Sequence, residues 1–545
     1  MFTGLKIPRD YERTTEDIME EKVLDEELIV DALTLMIREY SKKSDKWSID
    51  DLNSMFEFYM EQSDYYRQKH ADYLIKECAE CVQRSDLGED YYFIMSFLLR
   101  ATKNRKLYNI LIKRTITDET LEKENKFFLY YQFIRFNFLN SEIADCTIKN
   151  LLDDLYSHIY DAYYKEVAES YEIIPKEERN KDLVIVFISQ VLGLNHGPTK
   201  TLLERCKILK EELNKNVYII NSAECASVYG AVSFFRSERA NYCVGLNNED
   251  YLTYGDDKYA FLQCPNEMPQ VTIIRQILDV IKEEKPYFIL TIGGNSIVSD
   301  ICSNVVPTLT ISTVPSERAV TRGQFQAIGR KVSEEDILWM KKHDYSKEHI
   351  IESLFTSAFK KQTHRYTREQ LGLPSKGFIA VFVGARLDFE IDEECIKMIS
   401  KLNSAGIYVA FMGNFKRYYE IVKTNKLFEK YTINLGLQED VLAVNECCDL
   451  YVNPKRVGGG TSVAEALFKG VPVVTIDFGD GALGAGKEFV VSDYDEMYEK
   501  IIKYASDNEF YEIMSKKARE RAKCLTDSKS QFVKIVETME KSERF

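Results

Sequence analysis

No apolar run in this chain approaches the roughly 18–20 residues that a helix needs to cross a bilayer. The first stretch, Met1 to Glu21, is charged and lacks the apolar core of roughly 7–15 residues that marks a secretory leader. Together these absences imply a soluble, cytoplasmic protein. An excess of positive charge is missing too: 72 Lys and Arg stand against 87 Asp and Glu, a formal charge of −15. Broad nucleic-acid faces draw on clustered cations, so that class of partner is excluded, whereas a local basic cleft for a small anion is not. Metal-ligand spacing is scarce. Among twelve cysteines, Cys78 and Cys81 have the separation of a metal or redox pair, but no second pair lies at a suitable distance and the segment is helical in pattern. Reduced, structural thiols and no metal site are expected.

What is present is a globular composition, 45% hydrophobic and 29% charged over 545 residues, enough for about three domains of roughly 100–200 residues. From about Asp17 to Glu172, Gly and Pro are nearly absent and apolar residues, many of them Tyr and Phe, recur at three- and four-residue spacing. The pattern predicts an N-terminal all-α domain over 1–178. It changes after Pro175–Asn180. A buried strand, Leu183–Ile188, leads through a Gly-containing loop into a helix from about Thr199 to Leu213. Strand Val217–Ile220, helix Val271–Glu284 and strand Phe288–Ile292 follow. A second series begins at Phe378–Val383 and continues through Ile407–Phe411, Thr432–Leu435, Leu450–Val452 and Val471–Ile476, before helices from Tyr494 to Ser506 and from about Glu509 to Ser542. Such alternation implies α/β architecture: two tandem Rossmann-like domains, 179–365 and 366–545, with parallel sheets and a cleft beyond their strands' carboxyl ends.

The most specific segment is Tyr451–Leu467. Gly458, Gly459 and Gly460 let backbone approach a ligand, and the helix that follows presents free N–H groups and a positive dipole end, an arrangement that suits a diphosphate. Thr461 and Ser462 can cap that helix or bond phosphate oxygens. Glu465 lies about one turn in, where its carboxylate can accept ribose hydroxyls. An ordinary glycine turn with a Thr or Ser cap is the plainer alternative.

As a whole the segment resembles the donor-binding stretch of GT-B glycosyltransferases, particularly the large retaining family that carries a Glu-x7-Glu motif followed by Ala and a Gly-x-Pro-Val-Val strand. Glu465 matches the second Glu, which contacts ribose in that family; Val457 stands where the first belongs. The triple glycine with Thr-Ser is also similar to the protein O-linked N-acetylglucosamine transferases. In the same resemblance Arg386, after the strand ending Val383-Gly384-Ala385, matches the Arg that holds the donor diphosphate. The Lys that usually follows is replaced by the acidic stretch Asp388–Glu393, and Lys455 or Arg456 can supply the missing charge.

In the first Rossmann-like domain, Asn195-His196-Gly197-Pro198 follows the first strand. His196 can act as base toward an acceptor hydroxyl, donate to the transferred sugar, or simply support a turn with Pro198 at the first helical position. Gly293-Gly294-Asn295-Ser296 occupies another strand-to-helix turn, with Gly294 and Asn295 as acceptor or sugar contacts or as turn and cap residues. Asp477–Gly481 forms a loop near the donor helix. Three motifs are set aside. Gly481–Lys487 has phosphate-loop spacing, but Glu488 replaces the metal-holding hydroxyl. Asp493-Tyr494-Asp495 reads as a helix start. In a dinucleotide fingerprint built on Gly458, Val463 would replace the third glycine.

The resemblance implies a metal-independent hexosyltransferase that needs no cofactor, because the nucleotide sugar, a UDP-sugar, is itself the substrate. The acceptor is then a protein or a glycan. By analogy with the bacterial adhesin N-glycosyltransferases, which join an all-α domain to a GT-B core, the helical domain implies a protein acceptor or a protein partner. The alternatives are a non-catalytic GT-B partner subunit and a nucleotide-sugar 2-epimerase.

Overall fold

The computed structural model describes residues 26–43, 46–83, 87–140, 143–193, 196–354, 356–357, 359 and 361–545. The leader-free start inferred from Met1 to Glu21 and the predicted contact Asn195 lie outside the described residues. The chain divides into two compact units, Met1–Ala162 with Val228–Arg239, and Tyr163–Ser227 with Ala240–Phe545.

In the first unit the regular elements among the described residues are helices, apart from one short helical turn. The expected stripes of aromatic residues form its core: Tyr59, Tyr92, Tyr108, Phe97 and Phe133 are fully buried. Residues 228–239, which follow a strand of the other unit in chain order, complete that core. Phe235 is buried and its ring centroid lies 5.5 Å from Phe56 and 5.3 Å from Phe97. Its backbone N–H donates to Ser96 Oγ at 2.8 Å, and Gln132 exchanges two hydrogen bonds with the Glu238 backbone. The helical unit therefore takes in this later segment and ends within helix Cys146–Val167, whereas the sequence placed its boundary at 178. Periodicity could not find the inserted piece, because it has no regular structure.

The second unit holds two sheets. The first, of strands β1 (Asn180–Ile188), β2 (Asn216–Asn221), β3 (Tyr251–Tyr254), β4 (Asp257–Gln263), β5 (Pro286–Ile292), β6 (Thr308–Ile311), β7 (Phe325–Ile328) and β8 (Ile350–Glu352), runs in the order β3-β4-β2-β1-β5-β6-β7-β8. All its pairings are parallel except β3 with β4. The second, of β9 (Ile379–Gly384), β10 (Tyr408–Gly413), β11 (Thr432–Gly436), β12 (Leu450–Asn453), β13 (Val473–Ile476) and β14 (Val490–Val491), is parallel throughout in the order β11-β10-β9-β12-β13-β14. Strand order runs outward in opposite senses from the β9–β12 pair, so the connections after these two strands leave to opposite sides and open a crevice at their carboxyl ends.

The expected second domain, 366–545, loses its last piece to the first sheet. Helix Ser528–Glu540 buries Phe532, Ile535, Val536 and Met539 in the same core as Val184, Leu202, Leu290 and Leu309, together with the terminal Phe545. Asp527 caps this helix by accepting from the Ser530 N–H. The predicted continuous helix from Glu509 is thereby split into Asn508–Leu525 and Ser528–Glu540.

Candidate active site

A cleft of about 870 Å³ separates the carboxyl ends of the two sheets. Loops after β9 and β12 form one wall: Gly384, Ala385 and Arg386 face Gly458, Gly459, Gly460, Thr461, Ser462 and Glu465 across the switch point. Helix Gly197–Glu211 and the segments after β6 and β8 form the other.

Backbone geometry explains the triple glycine. Gly459 has φ +99° and ends the loop at the start of helix Gly460–Lys469, with no side chain capping the helix. A Cβ on Gly459 would lie 2.5 Å from Asn453 Oδ1 and 2.7 Å from Arg456 Nε, whereas one on Gly458 would meet nothing within 4 Å. The uncapped N–H groups of a ten-residue helix thus open onto the cleft. Glu465 is buried one turn further on.

Arg386 lines the cleft and donates through Nη2 to Glu390 Oε1 at 3.2 Å. Arg456 also lines the cleft, but its donors are engaged within the protein. It is buried, and its Nη1 donates to Glu390 Oε2 at 2.6 Å, Nε to Asn453 Oδ1 at 2.8 Å, and Nη2 to Val383 O at 2.8 Å and Tyr451 Oη at 3.0 Å. Its charge is directed at protein acceptors, so it props the donor-side loop. Lys455 is exposed and outside the cleft lining; its backbone N–H donates to Tyr494 Oη.

Asp480 ties the second-sheet wall to the first. Asp480 Oδ1 accepts the Ser316 N–H at 2.9 Å, and burial pushes the Asp480 carboxyl up to about 7.

On the first-sheet side, Gly197 and Pro198 line the cleft, and Pro198 is the second residue of its helix rather than the first. His196 is the N-cap residue and lies outside the lining. Its Nδ1 is 2.9 Å from Thr199 Oγ1, and burial lowers its pKa. Gly294 and Asn295 also lie outside the lining. A Cβ on Gly294 would fall 2.7 Å from Val320 O, and the Asn295 N–H donates to that same oxygen at 2.8 Å. Ser296 caps helix Ile297–Cys302 and donates at 2.6 Å to Glu224, so this turn serves the first sheet's packing rather than the cleft.

Sequence reasoning missed Glu390, Asp480 as a cross-cleft contact, and Arg205. Glu390 stands four residues after Arg386 on one helical turn, a spacing that is readable as an ion pair. Arg205 lies among the apolar positions of its helix and is only 7% exposed, the signal of a charge placed inward. Cys78 and Cys81 are buried, and burial raises the Cys78 thiol pKa. Asp493 caps helix Tyr494–Ser506 by accepting the Glu496 N–H. No helix among the described residues is long and apolar enough to cross a membrane.

No protein-family model matches the chain, and no curated protein matches it by sequence. Solved structures do resemble it. An O-GlcNAc transferase mutant from Thermobaculum terrenum is 11% identical, with 94% of this chain and 97% of that one aligned at a TM-score of 0.52. A glycosyltransferase from Rickettsia africae ESF-5 is 12% identical over 66% of this chain and 98% of its own, TM-score 0.47. Anabaena HepE in complex with UDP and glucose is 13% identical over 67% and 100%, TM-score 0.46. The architecture of the second unit, two parallel sheets facing across a cleft, is the GT-B fold, and the likeness to the first of these structures extends that agreement over nearly the whole chain.

Proposed function

We propose that this protein is a glycosyltransferase that moves a hexose from a nucleoside diphosphate donor, a UDP-sugar, to a protein or glycan acceptor. The observation that carries the reading is the convergence of Arg386 and the uncapped helix start at Gly458–Ser462 on one cleft. Backbone N–H groups, a helix dipole and a guanidinium fork stabilise a diphosphate leaving group without a metal ion. In this reading Thr461 and Ser462 bond phosphate oxygens, Glu465 accepts from the ribose, and Leu437, 81% exposed at the cleft, offers an apolar face to the base. His196, kept neutral at pH 7 by its burial, stands beside the cleft-lining Gly197 as the base or sugar contact. The acceptor's proton leaves as its oxygen or nitrogen takes the anomeric carbon, and the nucleoside diphosphate departs.

One observation favours a second reading, a non-catalytic GT-B partner subunit: of the three cations expected for the diphosphate, Arg456 is committed to protein acceptors and Lys455 lies outside the cleft lining. Incubation with UDP- and GDP-sugars separates the two. The enzyme releases nucleoside diphosphate slowly even without acceptor, and Arg386→Ala abolishes that release. A folded wild-type protein that turns over no donor in the panel is the partner subunit.

A further inference from the structure

The first-sheet wall of the cleft is positive in an otherwise acidic protein. Lys200 and Arg205 line it against one carboxylate, Glu204. Arg205 is the unusual member. It is buried, yet its guanidinium is poorly satisfied. Nη1 reaches Ser528 O at 3.3 Å, Nη2 reaches Thr356 Oγ1 at 3.4 Å, and Nε has no hydrogen-bond partner. The neighbouring Glu204 Oε1 is 3.8 Å from Nη1 and accepts from Ser528 Oγ, so it offsets the charge only in part. The Phe532 ring lies under the guanidinium at 5.2 Å and holds it in place.

A buried cation with weak partners is costly unless an anion joins it. Arg205 lines open space, so that anion can be a ligand. We infer that Arg205, with the Thr356 hydroxyl beside it, is a binding subsite for an oxyanion, a phosphate ester or a carboxylate, carried by the acceptor. The planar end of the guanidinium, whose Nη1 and Nη2 reach their present partners only at 3.3 and 3.4 Å, fits the two oxygens of either group. The donor's diphosphate is assigned to the opposite wall, so a second anion site on the first-sheet wall falls to the other substrate. The acceptor assignment rests on the glycosyltransferase reading; the anion site itself does not.

The test uses the full chain, melted with increasing inorganic phosphate in the presence of saturating UDP and, separately, as the Arg386→Ala variant without UDP. Phosphate raises the melting temperature in both. Arg205→Met, with unchanged circular dichroism, weakens the phosphate effect at least ten-fold while the UDP response stays. Phosphate binding by Arg205→Met equal to wild type, or no phosphate response in wild type, overturns the subsite. If Arg205→Met does not fold, Arg205→Lys keeps the charge but loses the fork. A drop of about ten-fold then supports the subsite, and an unchanged affinity overturns it. Acetate that competes with phosphate marks a carboxylate-bearing acceptor; acetate without effect marks a phosphate ester. A wild type that binds phosphate through Arg205 but never responds to UDP keeps the anion site and overturns the acceptor assignment.

Discussion

Glu390 joins two guanidinium groups: its Oε2 accepts from Arg456 Nη1 at 2.6 Å while its Oε1 accepts from Arg386 Nη2 at 3.2 Å. One carboxylate thus neutralises a buried arginine that props the glycine loop and steadies the arginine that faces the cleft. Glu390→Gln leaves the Arg456 charge without its counter-ion, and breaking a buried pair costs about 3–5 kcal/mol. The expected result is a much lower melting temperature and a weaker response to UDP. Arg386→Ala, by contrast, removes a half-exposed side chain and is expected to leave the melting temperature of the free protein nearly unchanged while abolishing its rise with UDP.

Two adjacent glycines separate loop stability from ligand binding. Gly459→Ala forces a left-handed conformation and pushes a Cβ against Asn453 and Arg456. Left-handed backbone alone costs about 1–2 kcal/mol for an L-residue, so calorimetry should record a clear loss of stability. Gly458→Ala meets no neighbour and is expected to melt like wild type. Its methyl group projects into open space beside the helix start, and UDP titration should show a several-fold weaker affinity.

Burial pushes two carboxyls, Glu224 and Asp480, up to about 7. Both have folded pKa values above the unfolded ones, near 4, so the folded state holds more protons between these limits. Stability is greatest below about pH 4 with respect to these groups and falls as pH rises towards 7. Denaturant melts from pH 4 to 8 should show Glu224→Gln and Asp480→Asn each flattening that decline. An unchanged slope in both variants would mean that neither carboxyl is raised.

In the helical unit Phe235 fills the space among Phe56, Phe93 and Phe97. Phe235→Ala removes a ring from a closed core, a change that costs about 3–5 kcal/mol. Limited proteolysis should then cut the helices of 49–117 faster than in wild type, and equal rates would show that the inserted segment contributes nothing to their packing.

The central strands were legible because they are continuous runs of Val, Ile and Phe buried on both faces, as in β1 and β9. Strand β3 alternates exposed and half-buried residues, β4 alternates buried residues with half-buried or exposed ones, and β6, β7 and β8 are each no more than four residues long, so no run marks them. The glycine loop and Arg386 could be read because each sits directly after a recognisable strand. The internal pairing of Arg456 was not legible for a plain reason: sequence shows a cation beside the loop but not the carboxylate of residue 390, which arrives from another strand's end. Arg205 escaped notice because its Nε lacks a partner only once Ser528 and Thr356 have been brought alongside it.

The return of helix Ser528–Glu540 to the first sheet makes that half of the second unit discontinuous in sequence. The chain crosses between the sheets twice, once after β8 and again near Asp527, where the Ser357 N–H donates to Leu525 O at 2.8 Å and ties the two crossings together. Rotation of one sheet against the other would have to bend both crossings at once. Severing the chain after Arg365 yields no self-sufficient half, since one fragment would lack its final helix and the other would carry a greasy, orphaned tail.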